Sequence, residues 1–423
     1  MQADNFNQPD TLFQGDLPDD GLRIKVIGVG GAGSNTVDRL QLEQFGQVQL
    51  AVVNTDTQAL AGSPVVDKVM IGRGLTRGLG TGGEVEIGKQ AGDRDRDALD
   101  KLVAGCDLVF VLAGLGGGTG SAVAPLVCEA ATRAEAVVIS FVTLPFTFEG
   151  QRKKTIADQA LVELRQSCDA VIPLPNDVVM QTVSEDAVVL EAFAQADAWI
   201  SRGVEAICAM LLKTGLINQD FATLKGLFKT RGGKTLFGLG HGDGPTATED
   251  ALKDLELCPL LHIPEHARQA DNLIVNIIGG TDLGMGSVNR VMRQLTDLFG
   301  SRENTVLGAL IDDTRRSSID IVVIGTTDLS AGQGARRRKA GTASDAAGQS
   351  ADAASDREPL PVHESKLRQP GGPAPVGEQH EFTFLAEEEQ RGYFDKTDRN
   401  LHRGEDLDVP TYLRRGIKVS LSL

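Results

Sequence analysis

Two glycine-rich segments, each lying between an apolar run and a helical pattern, constrain the fold of this chain most. The first is GVGGAGSN at 28–35, which follows the apolar run LRIKVI at 22–27. The second is AGLGGGTGS at 113–121, which begins where the apolar run DLVFVLAG at 107–114 ends. Glycine lets the backbone come close to a phosphate, and the free N–H groups at a helix start can donate to it. Two such loops at the carboxyl ends of parallel strands can enclose a triphosphate from both sides.

Apolar runs and helical stretches alternate through the first half of the chain, which predicts a parallel sheet covered on both faces. The other predicted strands are LAVVN at 50–54, EAVVISFVTLP at 135–145 and DAVIPLPN at 169–176. A long helix is predicted from about Asp186 to Lys213, with Gly215 as its stop signal. At ~1.5 Å per residue it would be about 40 Å long, enough to cross a whole domain.

Residues 225–328 are predicted to form a second, smaller α+β unit. Its predicted elements are the strands LIVNIIGG at 273–280, TVLGALI at 305–311 and IDIVVIG at 319–325, and an amphipathic helix at 287–299. The predicted fold class is therefore α/β: a nucleotide-binding domain with a parallel sheet, a long central helix and a smaller α+β domain.

Charge and composition limit the partners that this chain of 423 residues can have. The net charge of −16 argues against nucleic acid, because phosphate binding needs a basic face. No stretch approaches the ~20 apolar residues that span a bilayer, and the polar N-terminus has no hydrophobic signal core. We therefore expect a cytoplasmic protein without direct membrane insertion. Its five scattered cysteines are read as small buried hydrophobes in a reducing compartment.

The first glycine segment alone leaves two kinds of nucleotide open. GVGGAG fits the dinucleotide fingerprint G-x-G-x-x-G, and Asp56 follows the second apolar run, 23 residues beyond Gly33. An NAD-dependent oxidoreductase is therefore a rival hypothesis. A Rossmann dehydrogenase has no need of the second, richer glycine segment, which favours enclosure of a triphosphate. A P-loop is excluded, because no Gly-Lys-Ser/Thr follows the glycines.

Several motifs together resemble the tubulin superfamily, in particular its FtsZ family. GGGTGS at 116–121 is similar to the signature G-G-G-T-G-[ST]-G, except that Ala122 stands where that signature ends in glycine. The other matching motifs stand in the family's order: GVGGAGSN (28–35), NTD (54–56), GLGTGG (78–83), PFTFEG (145–150), PND (175–177) and GLINQDF (215–221). The resemblance runs from about residue 21 to 326 and implies a tubulin-like, self-assembling GTPase.

The resemblance also implies a set of site residues. GTP or GDP, with Mg²⁺, would be bound by its phosphates on the two glycine loops, its ribose near Glu149 and its base on the long helix. Lys153 takes the place of a family arginine, with Arg152 beside it. The implied nucleotide-binding residues are Gly30, Gly31, Ala32, Gly33, Ser34, Asn35, Gly117, Gly118, Thr119, Gly120, Glu149, Lys153, Asn176, Phe193 and Asp197.

The loop after the long helix implies catalysis between subunits. In the family, a neighbouring subunit's loop G-x-x-N-x-D-x-x-D completes the active site. Here Asn218 and Asp220 match, whereas Thr223 replaces the final acidic residue. We expect slow, assembly-dependent GTP hydrolysis, carried mainly by Asp220. The alternative is a GTP-binding structural polymer that scarcely hydrolyses, because a threonine is not a useful base.

The end of the chain is predicted to be a tethered docking peptide. After residue 329 the chain has too few large apolar residues to offset ordering entropy, which predicts a disordered linker. The tail DVPTYLRR (408–415) resembles the family's C-terminal peptide, which binds membrane-anchoring division proteins and would place the chain at the division site. Its predicted partner-binding residues are Asp408, Pro410, Tyr412, Leu413 and Arg414. The predicted segments are an arm (1–20), the GTP-binding domain (21–185), the central helix (186–214), the α+β domain (215–328), the linker (329–404) and the peptide (405–423).

Overall fold

The computed structural model of this protein describes most of residues 21–327 and two short strands near the C-terminus. The described ranges are 21–40, 42, 45–181, 188–213, 215–217, 219–228, 234–261, 270–300, 304–327, 401–402 and 405–406. The strands are β1 (Ile24–Val29), β2 (Val48–Asn54), β3 (Asp67–Met70), β4 (Leu108–Gly114), β5 (Val137–Leu144), β6 (Ala170–Pro175), β7 (Lys234–Asp243), β8 (Asn272–Gly279), β9 (Thr305–Ile311), β10 (Ser318–Thr327), β11 (Leu401–His402) and β12 (Glu405–Asp406).

Helices cover the sheets and connect the strands. They are α1 (Gly30–Asp38), α2 (Thr57–Gly62), α3 (Arg73–Thr76), α4 (Val85–Arg94), α5 (Arg96–Val103), α6 (Gly118–Arg133), α7 (Gln151–Ser167), α8 (Asn176–Met180), α9 (Val189–Leu212), α10 (Phe221–Leu227), α11 (Ala247–Glu256) and α12 (Met285–Phe299). Within the described residues, none of these helices is long and apolar enough to cross a bilayer.

The first sheet has six strands in the order β3-β2-β1-β4-β5-β6, and every pairing in it is parallel. All six residues of β1 are buried, as are the first six of β4. A parallel sheet with helices on both faces buries its strands on both sides, which is why these strands read as continuous apolar runs. The predicted α/β domain with a parallel sheet is confirmed.

The strand order places the two glycine segments side by side. β1 pairs with β4 in register from Ile24 with Leu108 to Val29 with Ala113. The chain leaves β1 toward one side of the sheet and β4 toward the other, so the order reverses between these strands. In open α/β sheets a crevice opens outside the carboxyl ends of the strands at such a point, and ligands bind there.

The second sheet has four strands in the order β7-β10-β8-β9. β10 is antiparallel to β7 and β8, whereas β8 and β9 are parallel. Together with α11 and α12 this sheet forms the smaller α+β domain that the sequence predicts.

Helix α9 packs into a core shared by both sheets. Its buried residues Val204 and Ile207 belong to one hydrophobic cluster with Phe141 of β5 and Phe237 of β7. The two phenylalanine rings meet edge to face, with centroids 5.4 Å apart. A methyl group at Gly203 would lie 2.8 Å from the Phe141 ring, so the absence of a side chain lets the helix approach the first sheet.

The long helix is shorter than predicted. Its 24 described helical residues span about 36 Å, and it ends at Leu212, three residues before the predicted stop at Gly215, with the Lys213 N–H donating to the Ala209 carbonyl. Residues 182–187, where the helix was predicted to begin, lie outside the described residues.

Near the C-terminus, β11 and β12 pair antiparallel. The predicted boundary between linker and peptide, at 404/405, falls inside this pairing. The rest of both segments, including the predicted partner-binding residues, lies outside the described residues. The division of the chain into segments stays a prediction.

Candidate nucleotide-binding site

The two glycine loops touch each other through atoms that a side chain would displace. Gly30 has a φ of +72°, and a methyl group there would lie 2.9 Å from the Gly120 nitrogen. A methyl group at Gly33 would lie 2.1 Å from the Leu112 carbonyl oxygen, and one at Gly120 would lie 2.3 Å from the Gly114 carbonyl oxygen. Glycine is therefore required at these positions to bring the first turns of α1 and α6 together.

Two other glycines of these loops face open space. A methyl group at Gly31 or Gly117 would have no atom within 4 Å. Neither α1 nor α6 has a side-chain hydrogen bond at its N-cap, which is Val29 or Gly117. The first N–H groups of a helix are free donors at a partly positive end. Two uncapped helix starts, each with open space at one of its glycines, suit a ligand with several anionic oxygens.

The remaining predicted residues of the first loop differ in exposure. Ala32 and Asn35 are exposed, whereas Ser34 is buried and its hydroxyl donates to the Gly30 carbonyl over 2.8 Å. Ser34 therefore stabilises the turn from within.

Three buried threonines, one in the first turn of α6 and two from separate loops, meet at the start of that helix. The Thr119 hydroxyl lies 2.8 Å from that of Thr55 and 3.5 Å from that of Thr81. Asn54 fixes the first of these loops, because its side-chain oxygen accepts from the backbone N–H groups of Thr55 and Asp56. Asp56 in turn caps α2, so it serves as a helix cap here.

A third glycine-rich loop, residues 78–84, packs against the start of α6. A methyl group at Gly118 would lie 2.3 Å from the Thr81 hydroxyl and 2.8 Å from the Glu84 carbonyl oxygen. The loop's shape depends on left-handed backbone at Gly78, Gly80, Gly82 and Gly83.

Glu149 and Lys153 lie beside the second glycine loop. Glu149 accepts from the Phe146 N–H over 2.9 Å and from the Lys153 ammonium over 2.7 Å. A methyl group at Gly116 would lie 3.1 Å from the Lys153 carbonyl oxygen, so the first turn of α7 borders this loop. Both oxygens of Glu149 are engaged within its own segment.

Phe193 lies in an aromatic cluster near the start of α9. Its ring meets Phe146 edge to face at 5.1 Å, and Phe146 stacks on Phe148 at 4.8 Å. Phe193 is 40% exposed and Phe148 is 68% exposed, so the cluster offers apolar surface. Asn176, at the start of α8, is buried, and its side-chain oxygen has no partner among the described residues.

Asp197 on α9 is held by Thr36 of α1 and by Arg39, the residue that follows α1. The Thr36 hydroxyl donates to one carboxylate oxygen over 2.7 Å, and the Arg39 guanidinium lies 3.5 Å from the other. Burial raises the pKa of the Asp197 carboxyl, while the Thr36 hydrogen bond and the Arg39 charge oppose this rise. The sequence gives no signal for Thr36 or Arg39, because they stand 161 and 158 positions before Asp197.

The loop after α9 is fixed to the second sheet. Ile217 exchanges two backbone hydrogen bonds with Ala309 of β9, at 3.1 and 3.0 Å. Gln219 is buried, and its amide donates to the carbonyls of Val275 and Val306. This loop thus belongs to the second sheet, whereas the glycine loops end strands of the first. Asn218 lies outside the described residues.

Asp220 is the N-cap of α10 and is bound by Thr223. The Thr223 N–H and hydroxyl donate to the same Asp220 oxygen, over 2.8 and 2.6 Å. These two hydrogen bonds, the hydroxyl's first, lower the pKa of the Asp220 carboxyl. The residue that replaces the expected acid therefore orients the neighbouring carboxylate and keeps it ionised.

No metal site is evident within the described ranges, where no group of three or more His, Cys, Asp or Glu side chains could hold an ion. The five cysteines are buried, as predicted, and none of them is in a disulfide with another described residue.

Residues 23–184 match the Tubulin/FtsZ family, GTPase domain, and residues 233–329 match the FtsZ family, C-terminal domain. Among known structures, an FtsZ dimer from M. jannaschii is 30% identical and superposes with a TM-score of 0.66 over 73% of this chain and 89% of that one. This chain belongs to the tubulin/FtsZ family. A CetZ2 protofilament from Haloferax volcanii, 24% identical, shares the fold with a TM-score of 0.62 over 76% of this chain and 99% of that one.

Membership of the tubulin/FtsZ family implies a guanine nucleotide, and the residues present fit one. The open space at Gly31 and Gly117 suits phosphates, and the unpartnered oxygen of Asn176 and the Asp197 carboxylate can accept hydrogen bonds from a purine's N–H groups. Because the first glycine segment falls within a GTPase domain, the rival hypothesis of an NAD-dependent oxidoreductase is wrong.

Proposed function

We propose that this chain is a GTP-dependent, self-assembling protein of the division ring, whose filaments grow head to tail and hydrolyse GTP at each contact between subunits. The observation that carries this proposal is the separation of the two halves of the site. The anion-binding loops end strands of the first sheet, whereas Asp220 is on a loop fixed to the second sheet. Neighbours described as an FtsZ dimer and as a GTPγS-bound CetZ2 protofilament support it.

The base, the ribose and the phosphates of GTP each have a matching group in this chain. The Asp197 carboxylate accepts from N1–H and the exocyclic amine of guanine, which adenine cannot offer. Asn176 adds a second polar group, and Glu149 takes the ribose hydroxyls. The backbone N–H groups of residues 30–35 and 117–120 bind the phosphates, and Mg²⁺ is carried by the phosphates and water.

Asp220 and Asn218 act from the next subunit. Attack of water on the terminal phosphorus breaks its bond to the oxygen that bridges the β- and γ-phosphates and releases phosphate. Because its pKa is lowered, Asp220 is a weaker base than an ordinary carboxylate, so it orients that water rather than readily taking its proton. Hydrolysis is therefore slow, since general-base catalysis typically contributes ~10²–10⁴-fold.

One observation favours the alternative, a structural polymer with very weak hydrolysis. The Thr223 hydroxyl occupies the same Asp220 oxygen as the backbone N–H, so a catalytic water has to use the other oxygen. The two proposals differ only in turnover, because both predict GTP-dependent filaments.

The C-terminal peptide completes the proposal. Asp408, Pro410, Tyr412, Leu413 and Arg414 would bind membrane-anchoring division proteins, so that the filaments collect at the division site. A short motif on each subunit binds more tightly once the subunits polymerise, through avidity. The chain itself makes the other contact, subunit to subunit.

The test is GTP hydrolysis against protein concentration, with light scattering, for the wild type, Asp220→Asn and a control, Asp297→Asn. Asparagine caps a helix about as well as aspartate, so Asp220→Asn removes the charge without loosening α10. Asp297 is an exposed carboxylate of α12 in the same domain. We expect hydrolysis to begin above a critical concentration and to fall at least about tenfold in Asp220→Asn alone. Hydrolysis proportional to concentration from the lowest values, with no scattering, would contradict the proposal.

A further inference from the structure

An ion pair joins the residue before α4 to the first turn of α7, beside the second glycine loop. The Arg152 guanidinium, on the first turn of α7, lies 2.7 Å from the carboxylate of Glu84, the residue before α4. Both side chains are largely exposed, at 71% and 55%. An exposed ion pair contributes little to stability, because water and salt screen it. The role of this pair therefore lies in its position beside the second glycine loop.

The pair crosses the open part of the second glycine loop. On one side, a methyl group at Gly116 would lie 3.1 Å from the Lys153 carbonyl oxygen, so the start of α7 borders the loop. On the other side, a methyl group at Gly118 would lie 2.9 Å from the Glu84 nitrogen. Gly117, between them, faces open space. Arg152 and Glu84 thus reach toward each other from the two walls that flank Gly117.

Lys153 is less available than its neighbour. Its ammonium pairs with Glu149 on the same segment over 2.7 Å, and Glu149 is fixed by the Phe146 N–H as well. Arg152 is the cation that reaches across the loop. A guanidinium can offer two parallel N–H donors to a phosphate, which an ammonium cannot.

We propose that Arg152 binds the terminal phosphate of a nucleoside triphosphate, and that Glu84 competes with this phosphate for the guanidinium. This inference rests on the proposed binding of GTP in the same site. The γ-phosphate extends a triphosphate beyond a diphosphate and is a stronger partner for Arg152 than one screened carboxylate, so a triphosphate displaces Glu84 and a diphosphate does not. Glu84 then stands at the N-terminus of α4, whose partly positive end favours its charge. The pair therefore makes the site discriminate GTP from GDP.

The test measures the affinities of the full-length chain for GDP and for a non-hydrolysable GTP analogue. The variants are Arg152→Gln, Glu84→Gln, the double variant and a control, Lys154→Gln. Lys154 is exposed on the same turn of α7, so its variant reports the general loss of one positive charge. All four replace exposed side chains, and circular dichroism checks that each variant folds.

We expect Arg152→Gln to weaken binding of the triphosphate analogue at least about tenfold and binding of GDP less than about twofold. Glu84→Gln should tighten binding of the triphosphate analogue. Arg152→Gln should weaken this binding by a larger factor in the Glu84→Gln background than in the wild type, because the competing carboxylate is gone. Equal weakening of both nucleotides, or an effect no larger than that of Lys154→Gln, would overturn the inference. Failure of the wild type to bind either nucleotide would instead refute the proposed function.

Discussion

At the scale of single residues, the proposed base-binding end of the site depends on one partly buried carboxylate. Asp197 lies on α9, and its two oxygens face Thr36 of α1 and Arg39, the residue that follows α1. The helix that joins the two sheets and the helix that follows the first glycine loop therefore meet at this side chain. An occupant of the site that hydrogen-bonds to Asp197 contacts both helices at once.

Asp197→Asn should reverse the preference for the base. Guanine presents two donors, N1–H and the amine, whereas xanthine presents N1–H and a carbonyl oxygen. An asparagine amide has one acceptor and one donor, so it matches xanthine. We expect GTP affinity to fall about tenfold to a hundredfold, since hydrogen bonds to charged groups contribute ~1.5–3 kcal/mol, and affinity for XTP to rise.

Fluorescence of Trp199, the only tryptophan of the chain, can report this binding, because it lies two residues from Asp197 and is buried. Glu191→Gln, an exposed carboxylate on the same helix, is the control. Binding of GTP and XTP that Asp197→Asn leaves unchanged would show that the base is held elsewhere.

In the wild type, GTP affinity should also decrease on acidification. The decrease should begin at a higher pH than the protonation of an ordinary carboxyl would cause. Burial raises the Asp197 pKa, and only the ionised form accepts both bonds.

At the scale of elements, the two glycine loops contain glycines of two kinds. Gly120 has no room for a side chain, because the Gly114 carbonyl oxygen lies 2.3 Å from where a methyl group would be. Gly117 has room and an extended backbone, with φ at −93°. The sequence GGGTG does not distinguish them, since the difference depends on what lies opposite each Cα.

Gly120→Ala and Gly117→Ala should therefore fail in different ways. Alanine at 120 forces the loops apart and should destabilise folding by about 1–3 kcal/mol, the usual cost of overpacking. Alanine at 117 keeps the fold but places a methyl group in the space for phosphates, so it should weaken GTP binding at unchanged stability. Urea denaturation and GTP titration measure the two effects separately. Equal loss of stability in both variants would contradict this account.

Sequence reasoning located the elements whose apolar pattern is uninterrupted, whether on one face or on both, and missed β7. β1 and β4 read as strands because both faces are buried, and α12 reads as a helix because one side is. β7 was not predicted, since Gly238, Gly240 and Gly242 interrupt its apolar pattern. These glycines make room for α11: a methyl group at Gly240 would lie 2.1 Å from the Ala251 carbonyl oxygen. Tertiary packing against α11 therefore explains why these positions of β7 are glycines.

In the candidate site, too, the sequence could predict some features and not others. The glycine loops could be predicted, because phosphate binding needs bare backbone at fixed positions along the chain. The contacts that position side chains could not, because they join distant segments. Thr36 with Asp197 and Glu84 with Arg152 are 161 and 68 positions apart. Thr223 looked like a loss of function in the sequence, yet it holds Asp220 in the structure.

At the scale of the whole molecule, the nucleotide loops and the Asp220 loop are fixed to different sheets. In the proposed arrangement, the Asp220 loop of one copy completes the nucleotide site of a second copy. Contacts between unlike faces generate open filaments when the rotation between copies does not close a ring. GTP binding and GTP hydrolysis then belong to different subunits at each contact.

The most direct measurement of this claim is GTP hydrolysis by a mixture of two weakened variants. Asp220→Asn is expected to bind GTP but lacks the acting carboxylate, whereas Asp197→Asn keeps Asp220 but is expected to bind GTP poorly. If the active site is shared, the Asp220 loop of one variant completes the nucleotide site of the other. The account predicts that the mixture hydrolyses GTP faster than the sum of the two separate rates. A mixture no faster than that sum, although light scattering shows that the two variants co-assemble, would contradict it.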